Sequence, residues 1–210
     1  MLKSRRNLLS ALVVGVLAGA VAMPTFAADK KITLGFAQVG AESEWRTANT
    51  VSIKEAAKEA GIDLKFSDAQ QKQENQIKAI RSYIAQKVNV IAFAPVVTTG
   101  WDTVLKEAKK AKIPVILTDR NIETKDPSLY VTMIGSDFAE EGQKAAQWLL
   151  DNYKKPGDVN IVELQGTVGS APAIDRKKGF EEVIKSDPRF KITRSQTGDF
   201  TRAKGKEVME

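Results

Sequence analysis

The chain has 210 residues, 42% of them apolar and 28% charged, with a formal net charge of +6. That is the composition of an ordinary globular protein, long enough for one or two domains around a real core. It contains no cysteine and no histidine, which excludes thiol nucleophiles, disulfides, thiolate and imidazole metal sites and Ser-His-Asp catalysis, and leaves carboxylates, Lys, Tyr and Ser as the only catalytic kit.

Lys3, Arg5 and Arg6 form a positive start, and residues 8–22 follow as an uncharged apolar run. The run is shorter than the ~20 residues a helix needs to cross a bilayer. Thr25 and Ala27 are small residues placed three and one before a cut after Ala27. This three-part layout predicts a secretory signal peptide over residues 1–27 and a periplasmic mature protein. An uncleaved anchor is the alternative, and the Arg5-Arg6 pair bears a faint likeness to a twin-arginine signal. Removing residues 1–27 takes away three positive charges and no negative ones, leaving +3. No nucleic-acid partner is expected at that charge, and the lysines of residues 106–112 read as a solvated helix face.

Residues 32–39 predict a strand, followed by a glycine-containing loop and a helix over 45–60, with Gly61 as its stop. Residues 62–66 predict a second strand and 73–86 a helix, with Ile77, Ile80 and Ile84 at helical spacing. A strand at 88–94 ends at Pro95. A helix over 101–110 and strands at 114–118 and 130–134 complete this half. The rhythm restarts after Ser136 with a helix over 139–152, a Lys-Lys-Pro-Gly turn, a strand at 159–164, a helix over 173–185 and a strand at 190–195. A last helix begins at Thr201. Strands alternating with helical stretches predict repeated βαβ units and a parallel α/β sheet, doubly wound, with right-handed connections.

Ligands of such sheets bind beyond the carboxyl ends of the strands. The residues there are Gly40 to Arg46 after the first strand, Asp119-Arg120 after the fourth, Gln165 to Ser170 leading to Asp175-Arg176, and Gly198-Asp199-Phe200 after the last. Carboxylates and guanidinium groups bond hydroxyls strongly, and aromatic rings cover apolar ring faces, so the mixture suits a sugar. Each residue has a plainer reading. Trp45 and Phe200 also suit core packing, Asp119-Arg120 a surface ion pair, and Arg176 a solvated helix beside Lys177 and Lys178. Gly166-Thr167-Val168-Gly169 is not a dinucleotide fingerprint, and no phosphate-binding loop pattern occurs.

Taken together, GFAQVGAESEWR, DAQQKQENQIKAIRSYIAQKVNVIAFAPV, IPVILTDR, VELQGTVGSAPAIDRKKGF and QTGDFTRAKGKEVME resemble the periplasmic sugar-binding proteins of ABC importers. The likeness is to the ribose/galactose-type cluster, and within it to the galactofuranose-binding branch through SEWR and AIDRKKGF. It covers residues 31–210. The resemblance implies a two-lobed type I periplasmic binding protein fold, each lobe a doubly wound parallel sheet, with lobes at 28–135 and 136–210. Family members are longer, so it also implies a second lobe incomplete in this chain. It implies a monosaccharide held by Glu42, Ser43, Glu44, Trp45 and Arg46, with Trp45 against the ring and Arg46 on a hydroxyl. Asp119 and Arg120 would bond hydroxyls from the first lobe, Arg176 from the second, and Phe200 would pack on the ring. Hinge closure would bury the ligand, and an inner-membrane permease would read the closed form. No cofactor, metal or catalysis is implied, and a monomer is expected.

The ligand domain of a LacI-type repressor shares this fold but needs a DNA-binding helix-turn-helix where residues 1–27 stand. An enzyme on the same sheet would lack an imidazole, a thiol and a G-x-S-x-G elbow. A chemoreceptor-facing sugar-binding protein differs only in its partner.

Overall fold

Strands β1 (Thr33–Gln38), β2 (Asp63–Asp68), β3 (Val90–Phe93), β4 (Val115–Thr118) and β5 (Thr132–Ile134) pair in parallel in the order β2-β1-β3-β4-β5. They belong to a computed structural model that describes residues 31–210, and the expected signal peptide lies outside those residues. Helices α1 (Glu44–Glu59), α2 (Gln73–Ala85) and α3 (Asp102–Lys110) are the crossovers. Right-handed connection puts α1 on one face and α2 and α3 on the other, because the chain moves outward from β1 to β2 and then back across β1 to β3. The side chains of β1 agree. A methyl on Gly35 would strike the Tyr83 ring of α2, and Ala37 shares a core with Tyr83 and Trp101. Alternating with them, Gln38 turns to α1 and donates to Asn49 Oδ1 and Thr50 Oγ1. Burial on both faces is why the central strands β1, β3 and β4 read as nearly continuous apolar runs.

After β5 the chain enters the second lobe through α4 (Phe138–Asn152). There β6 (Val159–Gln165) pairs in parallel with β7 (Phe190–Thr197), linked by α5 (Ala171–Ile184) and followed by α6 (Arg202–Met209). Glu163 of β6 meets Lys177 of α5 at 2.8 Å. Leu164, pointing the opposite way, lies against Gly205 of α6, so this sheet too has helices on both faces. Helices α4 and α5 touch backbone to backbone. A methyl on Gly142 would overlap Arg176 O, and one on Gly179 would overlap Ala139 O. That contact sets where Arg176 and Glu141 stand.

Several boundaries shift from the sequence expectation, three of them for clear physical reasons. Trp101 precedes α3 instead of starting it. It is fully buried, its ring centroid 4.9 Å from that of Phe93 and its Nε1 donating to Val97 O. The strand expected at 130–134 is shortened because Pro127–Leu129 form a 3-10 turn capped by Asp126. Helix α5 begins at Ala171, because Pro172 is comfortable in a first turn, where its missing N–H has no partner to lose.

Helices α1, α2 and α3 all stop the same way. The residue after each cap has a positive φ, Gly61 at 67°, Lys87 at 53° and Lys112 at 58°. The next residue reaches back to the helix, as in Ile62 N to Ala57 O, Val88 N to Tyr83 O and Ile113 N to Ala108 O. Glycine adopts that conformation without strain; the two lysines do not.

A candidate sugar site in the interlobe cleft

Ser43 is the N-cap of α1, its hydroxyl accepting from the Arg46 N–H at 3.2 Å. This cap starts the helix immediately after the β1 loop and turns the Arg46 side chain inward. Arg46 is only 2% exposed, and all three of its guanidinium nitrogens donate. Nε meets Glu42 Oε1 at 3.1 Å, Nη1 meets Gln38 Oε1 at 3.2 Å and Nη2 meets Asp119 Oδ2 at 2.7 Å. One residue therefore ties the β1 loop to the loop after β4, across the point where the strand order reverses.

Asp119 takes a left-handed φ of 63°. Its N–H bonds Ile134 O at 2.7 Å, and the following Arg120 N–H folds back to Thr118 O at 2.6 Å. The tight turn buries Arg120, which donates from Nη1 to Val96 O at 3.3 Å. It stands 3.9 Å from Glu42 Oε1 and 3.7 Å from Asp119 Oδ2. Burial, and then the neighbouring Arg46 cation, push the Arg120 pKa down to about 10, so Arg120 stays charged at neutral pH. Among the described residues four buried side-chain atoms lack a hydrogen-bond partner; two of them, Glu42 Oε2 and Arg120 Nε, belong to this network.

The second lobe faces it with Arg176, which donates to Glu141 Oε2 at 2.7 Å and lies 4.6 Å from the Phe138 ring centroid. Phe200, from the turn after β7, puts its ring 5.3 Å from the Arg120 guanidinium. Trp45 is largely exposed and lies on Arg46 at 4.9 Å. A cavity of about 240 Å³ between the lobes is lined by Glu42, Ser43, Trp45, Arg46, Asp119, Arg120, Arg176 and Phe200, joined by Ser136, Phe138, Glu141 and Pro172. Three carboxylates balance three guanidinium groups in that lining. The wall is neutral overall and dense in both donors and acceptors, which suits an uncharged polyol better than an ion.

Glu44 is not part of this lining. As the first residue of α1 it points out to solvent, 81% exposed, and pairs with Arg202 at 2.7 Å. Arg46 is held by three protein acceptors, one on each nitrogen, which leaves one further N–H on each Nη. Sequence reading missed Gln38, Ser136, Phe138, Glu141 and Pro172. A glutamine inside an otherwise apolar strand was the one visible signal, and it marks Gln38 as buried with partners. Ser136 follows the end of β5, and Phe138, Glu141 and Pro172 come from the first turns of α4 and α5. Among the described residues no cluster of His, Cys, Asp or Glu could hold a metal ion, and no helix is long and apolar enough to cross a membrane.

Two parallel α/β lobes meeting at a charged and aromatic cleft, beyond the carboxyl ends of the first sheet, define a two-lobed solute-binding protein. The chain belongs to the periplasmic binding protein domain family, whose sequence model matches residues 34–210. It is 57% identical over 196 residues to the galactofuranose-binding protein YtfQ of Escherichia coli (strain K12), covering 93% of this chain and 61% of that protein. The fold superposes on a Mycobacterium smegmatis protein in complex with β-D-fucofuranose, with a TM-score of 0.83 and 64% identity, covering 85% of this chain and 59% of the other. It also superposes on the periplasmic binding protein component of the arabinose ABC transporter from Shewanella sp. ANA-3, bound to α- and β-L-arabinofuranose. There the TM-score is 0.81 and the identity 63%, covering 84% and 58%. The chain thus spans about three fifths of the length of each of these relatives.

Proposed function

We propose that this protein binds a monosaccharide, galactofuranose or a related sugar, in the cleft between its lobes and delivers it to an ABC-transporter permease in the inner membrane. The reading includes export through residues 1–27, a first lobe over 28–135, a second over 136–210, work in the periplasm as a monomer, no nucleic-acid partner and no catalytic step. Its main support is the buried Glu42–Arg46–Asp119–Arg120 network, which keeps one acceptor, Glu42 Oε2, and one donor, Arg120 Nε, unpartnered. A sugar hydroxyl both donates and accepts, so it can complete such a network where a one-way ligand leaves a group unpaired. Trp45 and Phe200 add apolar area for the faces of the ring. The relatives are named for galactofuranose or solved with furanoses, which supports the same class of ligand.

The test is a thermal-unfolding screen of the chain against monosaccharides that include D-galactose, galactofuranose, D-fucose and L-arabinose. A specific ligand at 100 times its Kd stabilises the fold by ~2.7 kcal/mol. A rise with a sugar that can form a furanose, and none with amino acids or nucleotides, is the expected result. A cooperative transition that no sugar moves would reject sugar binding by this chain.

A further inference from the structure

The end of β6 and the turn between β7 and α6 are tied together by backbone. Gly198 N–H donates to Gln165 O at 2.8 Å, and Thr197 Oγ1 donates to Gly166 O at 2.7 Å. Asp199 N–H donates to Thr197 Oγ1 at 3.1 Å, and Thr201 N–H to Gly198 O at 2.9 Å. Within this turn Asp199 and Phe200 both have positive φ, 52° and 57°. Two successive side-chain-bearing residues persist in that region only when their surroundings over-determine the conformation. The outcome is the position of one ring. Phe200 lies directly on Gly166, with ring atoms where the Cβ of any other residue at 166 would stand. The φ of Gly166 is outside the left-handed region, so its backbone would accept other residues. It is the Phe200 ring that requires a bare position there. The ring also borders the cleft cavity and lies near the Arg120 guanidinium.

We propose that Gly166 is a specificity-determining residue of the cleft: it seats the Phe200 ring and so sets the width available to the sugar. This rests on the sugar-binding reading above. A methyl at 166 displaces the ring, and the bonded turn cannot retreat with it. The ring therefore moves toward Arg120 and narrows the cavity. A six-carbon furanose, with its two-carbon exocyclic arm, loses more than a five-carbon one.

Gly166→Ala, Phe200→Leu and the double variant, each in the full chain, are compared with the unaltered chain for thermal unfolding and for affinity toward D-galactose and L-arabinose at mutarotational equilibrium. Gly166→Ala is expected to weaken galactose binding by about tenfold, the usual scale of one overpacked methyl, and arabinose binding by less. Adding Phe200→Leu to Gly166→Ala is expected to recover most of the loss, because the smaller side chain clears the methyl. Affinities unchanged in Gly166→Ala would overturn the proposal. So would losses that simply add in the double variant, or a lowered Tm with the galactose-to-arabinose ratio unmoved, since that marks a role in folding alone. If the unaltered chain binds neither sugar, the sugar-binding reading falls and the proposal with it. That failure shows in the unaltered chain, whereas failure of the seat alone shows only among the variants.

Discussion

Arg46 and Asp119 meet at 2.7 Å although 73 positions separate them in the chain. One comes from the first turn of a helix and the other from a strained turn after a strand, and the Arg46 side chain is almost fully buried. Truncating Arg46 to alanine leaves Glu42, Gln38 and Asp119 facing one another without their shared donor. Breaking a buried pair by removing one member costs ~3–5 kcal/mol. Arg46→Ala is expected to lower the urea midpoint accordingly, and Arg46→Lys to recover only part, because an ammonium cannot reproduce the planar fork that serves three acceptors. A lysine variant as stable as the unaltered chain would show that the fork is not what holds these loops.

The contrast between Glu42 and Glu44 separates site from surface. They are two residues apart, yet one is buried in the network and the other is solvated beside Arg202. Glu44→Ala is expected to leave sugar affinity, measured by isothermal titration calorimetry, within about twofold of the unaltered chain, as is usual for an exposed ion pair. Asp119→Ala is expected to weaken binding by about 2 kcal/mol, since it leaves the buried Arg46 Nη2 without its acceptor. Equal losses in the two variants would mean that the binding surface extends over the outer end of α1.

Lys112 holds the left-handed position that Gly61 holds two helix ends earlier in the fold. Its N–H still bonds Lys109 O at 3.0 Å, so the stop itself is sound and only the side chain is strained. Lys112→Gly is expected to raise stability by about 0.5–1 kcal/mol, the strain relieved exceeding the extra freedom of the unfolded chain. Lys87→Gly is expected to do the same. Equilibrium denaturation at unchanged m-value is the check, and a loss of stability in both would show that these caps gain more from the lysine than from the backbone.

Acid sensitivity of the second lobe is expected to run through Glu163. Partial burial raises its pKa, but hydrogen bonds from Gln165, Lys177 and Ser195 outweigh this and hold it below the ordinary carboxylate value. Its folded-state pKa is therefore depressed. The stability it contributes is fully present above the unfolded-state value and is lost as pH falls through the folded-state value. Glu163→Gln is expected to lower Tm at pH 7 and to flatten the decline of Tm on acidification. Parallel Tm curves for the two proteins between neutral and acid pH would remove Glu163 from that account.

Much of the fold could be read along the chain because it is written in local pattern. Apolar runs marked the central strands β1, β3 and β4, and helical spacing marked α2, since a doubly covered parallel sheet demands that contrast. The rule that ligands lie beyond strand ends pointed at Glu42, Trp45, Arg46, Asp119, Arg120, Arg176 and Phe200, which do line one cavity. What each of them does there depended on partners distant in sequence. Sequence reading assigned Arg46 to a hydroxyl, and the tertiary structure adds bonds from its three nitrogens to Gln38, Glu42 and Asp119. Sequence reading also grouped Glu44 with the site, but its direction from the helix carries it outside. Phe138 and Glu141 enter the cleft because α4 and α5 approach to backbone contact at Gly142 and Gly179, and nothing local distinguishes those glycines from helix-weakening ones. Composition and periodicity are properties of neighbours along the chain and determine the elements. The charge pairing, the buried unpartnered atoms and the seat of Phe200 are properties of neighbours in space, and only the packing of the lobes decides them.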